Sequence, residues 1–212
     1  MTPATAQLPK AHQTMILAHR AMLCDLSRIA DTAGSLTQRP VPGRPSGLQA
    51  YGLRITEIIE HHHQGEDDII WPELSRRGAD AEALALLQKE HDDLQRHQTD
   101  LHDALKALTE DGGGAEAVEK AARATHDALG THTRDEEREL TGRLAPALDA
   151  DLWKRFEGGM VKSAARWTLW FMPPWLSSVA GPGEEGGIPA RPMAALMAGR
   201  LRRHREAAFG SA

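Results

Sequence analysis

The stretch Glu60-His61-His62-His63-Gln64-Gly65-Glu66-Asp67-Asp68-Ile69-Ile70-Trp71-Pro72 sets three consecutive histidines just ahead of three consecutive acids. On a helix, residues four apart lie on one face, one turn apart. His62 therefore falls beside Glu66, and His63 beside Asp67. An imidazole and a carboxylate at that spacing can hold one metal ion, or two ions that share the carboxylate. Taken alone, the stretch reads as well as a solvated helix face or a histidine-rich metal-scavenging tract. The same spacing recurs in Thr131-His132-Thr133-Arg134-Asp135-Glu136-Glu137, where His132 precedes Glu136. His19 and His91 complete a set of four histidines.

Working outward, the periodicity predicts four helices. The first spans about 12–33, with Met15, Met22, Leu26, Ile29 and Ala33 on one stripe and His19 among them. Residues 34–47 carry three prolines and three glycines and read as a loop. The second helix starts near Leu48, with a stripe of Leu48, Tyr51, Ile55, Ile59, His62, Glu66 and Ile69. Pro72 is expected to kink or end it. The third, about 81–109, carries Leu84, Leu87, His91, Leu94, Gln98, Leu101, Leu105 and Leu108. Asp111-Gly112-Gly113-Gly114 breaks the chain, and the fourth helix follows over about 115–144. Its stripe is Val118, Ala122, Thr125, Leu129, His132, Glu136 and Leu140. Alternating steps of three and four are the seam of a helical bundle. With fairly short connections, the pattern predicts an all-α, antiparallel, up-and-down four-helix bundle.

The chain divides into a leader over 1–11, the bundle over 12–145 and a helical C-terminal extension over 146–212. Four of the five tryptophans lie between Trp153 and Trp175. Leu152, Phe156, Met160 and Trp167 suggest one more helix there. A basic amphipathic helix follows at about 191–207, with Met193, Leu196, Met197 and Leu201 opposite Arg200, Arg202, Arg203 and Arg205. This region is expected as an appendage on the outside of the bundle, its tryptophans used for packing.

Composition narrows the function. With 212 residues and a net charge of -5, the chain gives no reason to expect nucleic acid or an anionic membrane as a partner. No stretch approaches the ~20 apolar residues of a membrane span. One cysteine, Cys24, fits a reducing compartment, and no signal pattern opens the sequence, so a cytoplasmic monomer or homodimer is expected.

His19, His62, Glu66, His91, His132 and Glu136 all fall on inward stripes. A buried carboxylate without a partner costs many kcal/mol, and two of them among four imidazoles would be ruinous without something to bind. Metal ions remove the conflict. The other histidines fare differently: His12, His97, His102, His126 and His204 read as surface residues, while His61 and His63 flank the site and His63 is placed to turn inward. Nitrogen and carboxylate donors suit iron, manganese or zinc, and the absence of thiolates argues against structural zinc.

The set His19, His62-His63-x-x-Glu66-Asp67-x-x-Ile70-Trp71-Pro72, Glu90-His91 and His132-x-x-x-Glu136 resembles the hemerythrin-like HHE cation-binding domain over roughly residues 10–145. The tryptophan-rich tail is similar to extensions on actinobacterial members. The resemblance implies two iron ions in an oxo- or hydroxo-bridged pair. His19, His62, His91 and His132 would then be terminal ligands, with Glu66 and Glu136 as bridging carboxylates. Oxygen-carrying members have a further histidine where this chain has Leu87, which leaves one iron open to water, His63 or an outside ligand. Their last motif spaces the carboxylate by five, which would select Glu137; the HHE branch selects Glu136. Two readings stay open. One is a di-iron protein that binds or turns over oxygen, hydrogen peroxide or nitric oxide, for instance a peroxide-decomposing enzyme. The other is an oxygen- or iron-sensing protein without turnover, and a zinc-filled structural site stands behind both.

Overall fold

The computed structural model describes residues 8–211. Helices α1 (Lys10–Gln38), α2 (Arg44–Gly65), α4 (Ala81–Ala107) and α5 (Ala115–Thr141) form a closed ring in which α1 and α4 each lie between α2 and α5. A π-helical segment (Glu66–Ile70) and a short α3 (Trp71–Arg76) prolong α2. After a 3-10 turn come α6 (Ala150–Ser163), α7 (Thr168–Ser177) and α8 (Arg191–Phe209). No strand occurs among the described residues, and no helix among them is long and apolar enough to cross a membrane. Most of the expected leader lies outside the described residues, and α1 already begins at Lys10.

Helix ends follow local chemistry. Asp80 caps α4 by accepting the Ala83 N–H at 2.9 Å, and Asp149 caps α6 through the Leu152 N–H at 2.8 Å. The expected loop over 34–47 shrinks at both ends. Helix α1 continues to Gln38 because Leu36 reaches the core, and α2 starts at Arg44 with Pro45 in its first turn. There proline loses no intrahelical bond and its fixed φ suits the helix.

The expected break at Pro72 takes another form. The Trp71 N–H donates to the Glu66 carbonyl, five residues back, which defines the π turn. Pro72 then sits in the first turn of α3, where its missing N–H costs nothing. The wider turn also corrects the predicted stripe. A straight helix would bury Ile69, whereas the extra residue turns Ile70 fully inward and leaves Ile69 half-buried.

Two apolar clusters form the core. One holds Met22, Ile59, Leu94 and Leu129; the other holds Met15, Ile70, Leu87 and Leu140. On the four bundle helices and the π segment, the six candidate ligands fall between a member of one cluster and a member of the other. The polar residues are therefore a layer across the bundle. Thr125, in the weakest stripe, donates its hydroxyl to the Ala121 carbonyl at 2.9 Å, one turn earlier, and also bonds the His97 carbonyl.

The helices expected as an outer appendage send side chains into the bundle core. Phe171, Trp175, Leu176 and Leu201 belong to the larger cluster, while Trp153 and Phe156 belong to the smaller. Pro173 and Pro174 lie inside α7, which is held by packing rather than by an unbroken hydrogen-bond ladder. Buried Asp25 of α1 gathers the rest: it accepts from the Tyr51 hydroxyl at 2.6 Å and the Trp175 indole N–H at 2.7 Å, with the Arg205 guanidinium at 3.4 Å. Arg205, expected on a solvated face, thus turns inward. Leu196, expected on the apolar face of α8, is 72% exposed instead. Of His12 and His204, both expected at the surface, the first is buried and the second half-buried. His12 is buried against Trp153 at 4.8 Å between ring centres, and His204 stacks on Trp170 at 5.1 Å.

Helix α8 approaches α2 backbone to backbone. A Cβ at Gly47 would lie 2.2 Å from the Ala207 carbonyl oxygen, with no flexible side chain to give way. Alanine normally favours a helix over glycine by about 1 kcal/mol. Here Gly47→Ala is expected to destabilise by about 1–3 kcal/mol, the usual cost of overpacking. Thermal denaturation checks this; a raised melting temperature would show that α8 does not dock there.

Candidate metal centre

The six predicted residues, on α1, α2, the π segment, α4 and α5, all lie in the buried layer, with His63 beside them. Their donor atoms fall into two groups, each within 4.8 Å: His19, His62, Glu66 and Glu136 in one, and His63, Glu66, His91 and His132 in the other. Glu66 belongs to both. Glu136 belongs to the first group, though its Oε2 lies 3.3 Å from His19 Nε2 and 3.7 Å from His132 Nε2.

The local helix geometry explains how adjacent histidines serve different groups. His62 and His63 are about 100° apart around α2. Glu66 follows at the first residue of the π segment, with His62 Nε2 3.1 Å from its Oε1 and His91 Nε2 3.5 Å from its Oε2. The expected pairing of His63 with Asp67 does not form. Within the π segment Asp67 points to α4, where its Oδ1 meets His91 Nδ1 at 2.9 Å.

The imidazoles are held from behind. Glu137 Oε1 faces His19 Nδ1 at 3.1 Å, and Glu90 Oε2 faces His132 Nδ1 at 3.3 Å. With the Asp67–His91 contact, three carboxylates fix three rings with Nε2 turned inward. Asp67, Glu90 and Glu137 escaped the sequence reading as ring supports, although each directly adjoins a predicted ligand or follows one in sequence. The stripe pattern marks only inward positions, and these residues flank the seam. His97, His102 and His126 are half-buried and join neither group.

The donors fit cations. Both ring nitrogens of His63 and both oxygens of Glu66 and Glu136 are buried without a hydrogen-bond partner. His19 Nε2 and His62 Nε2 approach to 2.8 Å, and His91 Nε2 and His132 Nε2 to 3.2 Å. Two nitrogens each about 2.1 Å from one ion, at right angles, would be about 3 Å apart.

Protons fill part of the site when metal is absent. Burial would raise the Glu66 carboxyl, but His62 and His91 outweigh it and hold it at about 2. Burial and then the Glu66 charge push the Glu136 carboxyl well above the usual range. Burial lowers His62 to about 4, and burial with neighbouring imidazoles drives His63 and His132 well down. His91 is the exception: burial would lower it, but Asp67 and Glu66 raise it to about 9. At neutral pH the metal-free core therefore carries a His91 imidazolium against a Glu66 carboxylate.

A cation must displace the His91 proton. Loading metal into weakly buffered protein at pH 7 is expected to release at least one proton per chain, the one on His91. Affinity then rises with pH until His91 loses its proton near 9. Calorimetry in buffers of different ionisation enthalpy measures the release; none would show that His91 is already deprotonated.

The hemerythrin HHE cation-binding domain matches residues 11–144. No curated protein and no solved structure matches the chain. The match spans more than half of the sequence and includes every residue of both groups, and the chain belongs to that family.

Proposed function

We propose that this member of the hemerythrin HHE family holds two iron ions and binds or turns over oxygen, hydrogen peroxide or nitric oxide. His19, His62, Glu66 and Glu136 would hold one ion; His63, Glu66, His91 and His132 would hold the other. The observation that carries the reading is Glu66, the one residue common to two four-donor groups with no other partner for its oxygens. Iron at such a site supplies one-electron chemistry and coordination positions beyond the four protein donors, open to a small ligand.

The chain's own residues do the rest. Asp67, Glu90 and Glu137 orient three imidazoles and hold protons at Nδ1, so that Nε2 offers a lone pair. Ile70, Trp71, Leu87 and Leu140 close one side of the layer with apolar surface and keep bulk water out. His63 supplies a donor where Leu87 cannot. Glu90 faces His132 Nδ1, and burial with the neighbouring Asp135 raises its carboxyl to about 7. It can take or give a proton there at physiological pH.

Metal quantification and the optical spectrum of protein from iron-replete cells test the reading. Two irons per chain and near-ultraviolet bands that vanish on reduction are expected. One metal per chain, or zinc alone, would overturn it.

A sensing role without turnover draws support from α6. A Cβ at Gly65 would lie 2.2 Å from Met160 Sδ, so α6 rests directly on the turn that carries Glu66. A change at the centre would reach α6 through that contact. Peroxide turnover separates the two readings.

A further inference from the structure

A cleft of about 650 Å³ opens between the bundle and the C-terminal helices, walled by parts of α1, α2, α6 and α7. Its surface is mostly apolar, and it lies outside both donor groups except that His62 forms part of its wall. Four methionines line it: Met15, Met22, Met160 and Met172. Unbranched thioether side chains fit themselves to varied apolar shapes. At its mouth Val161 and Leu169 are 66% and 67% exposed, so the apolar surface continues to the rim instead of being closed over. Volume and lining are those of a small-molecule site.

Charge decides what kind of molecule. Glu57, Glu60 and Glu157 line the cleft and are exposed, while no lysine or arginine lines it. A carboxylate or phosphate head would meet three like charges there, whereas an ammonium would be attracted. We propose that this cleft binds a small cationic amphiphile, with an aliphatic chain among the methionines and an ammonium head at the Glu57, Glu60 and Glu157 rim. The chain end would then lie against His62, which joins the cleft to the metal centre. The binding itself does not depend on which metal the centre holds.

Trp167 lines the cleft, so tryptophan fluorescence reports occupancy, with calorimetry for stoichiometry. The probes are dodecyltrimethylammonium, dodecan-1-ol and dodecanoate, each below its aggregation concentration, added to full-length protein reconstituted with zinc. The ammonium is expected to saturate at one per chain and to bind about tenfold or more tighter than dodecanoate, with the alcohol between them. Added salt should narrow the gap. Ala164→Trp, which fills the cleft from its edge, is expected to weaken all three. The triple change Glu57→Gln, Glu60→Gln and Glu157→Gln keeps the shape and should abolish the preference for the cation. Absence of saturable binding, equal or tighter binding of dodecanoate, or unchanged binding in Ala164→Trp would each overturn the proposal. So would a dimer that buries the cleft and excludes the probes. Because zinc fills the centre throughout, failure here concerns the cleft alone, while iron stoichiometry decides the reading of the metal site.

Discussion

Glu66→Ala is expected to abolish metal binding at both groups together, the largest effect of any single substitution in this chain. The other predicted ligands each belong to one group; Glu66 belongs to both. Its removal takes a donor and a negative charge from each ion at once. Orientation alone, through the residues behind a ligand, is commonly worth 10–100-fold in metal affinity, so loss of a shared ligand should cost about a hundredfold or more for each ion. His63→Ala is the graded comparison: it removes one donor from the His91 and His132 group only, so one ion should remain. His97→Ala and His126→Ala should change nothing, because neither ring joins a group, and the Thr125 bond to His97 uses the main chain. Metal content by mass spectrometry distinguishes these cases. Retention of both ions in Glu66→Ala would remove the basis for treating the two groups as one centre.

The seam residues were legible because a bundle helix repeats its inward face in steps of three and four. His19, His91, His132 and Glu136 sat in that register as plainly as leucines do, and all are buried. The register failed where the helix itself departs from α geometry. Nothing in Glu66-Asp67-Asp68-Ile69-Ile70 announces a π turn, yet the extra residue sends Ile70 inward and Asp67 to His91. Histidines outside the seam were misjudged for a different reason. Position on a helix says which way His12 and His204 point, but not that α6 and α7 will bring Trp153 and Trp170 over them. Periodicity describes one element at a time. Contacts between elements distant in sequence, such as Asp25 with Trp175 and Arg205, leave no periodic trace.

Removing the metal is expected to lower stability sharply, and the sign of one substitution should reverse with it. An ion bound only by the folded chain adds about 4 kcal/mol at a free concentration a thousandfold above its dissociation constant. For a chain of this size each kcal/mol moves the melting temperature by about 2–4 °C, so chelation should lower it by about 8–16 °C for each ion lost. The physical source is visible in the layer: Glu66, Glu136 and His63 keep buried polar atoms without hydrogen-bond partners. In the metal-free protein those atoms are a liability, and an apolar group of similar size in place of one of them is stabilising by about 1–3 kcal/mol. Glu136→Met should therefore raise the melting temperature of the metal-free protein. In the loaded protein the same change deletes a donor and should lower it, so the gap between the two melting curves contracts from both sides. Differential scanning calorimetry of both proteins, with and without chelator, supplies all four curves. If chelation left the melting temperature unchanged, or Glu136→Met destabilised both states equally, the buried carboxylate would be serving the fold directly rather than waiting for a cation.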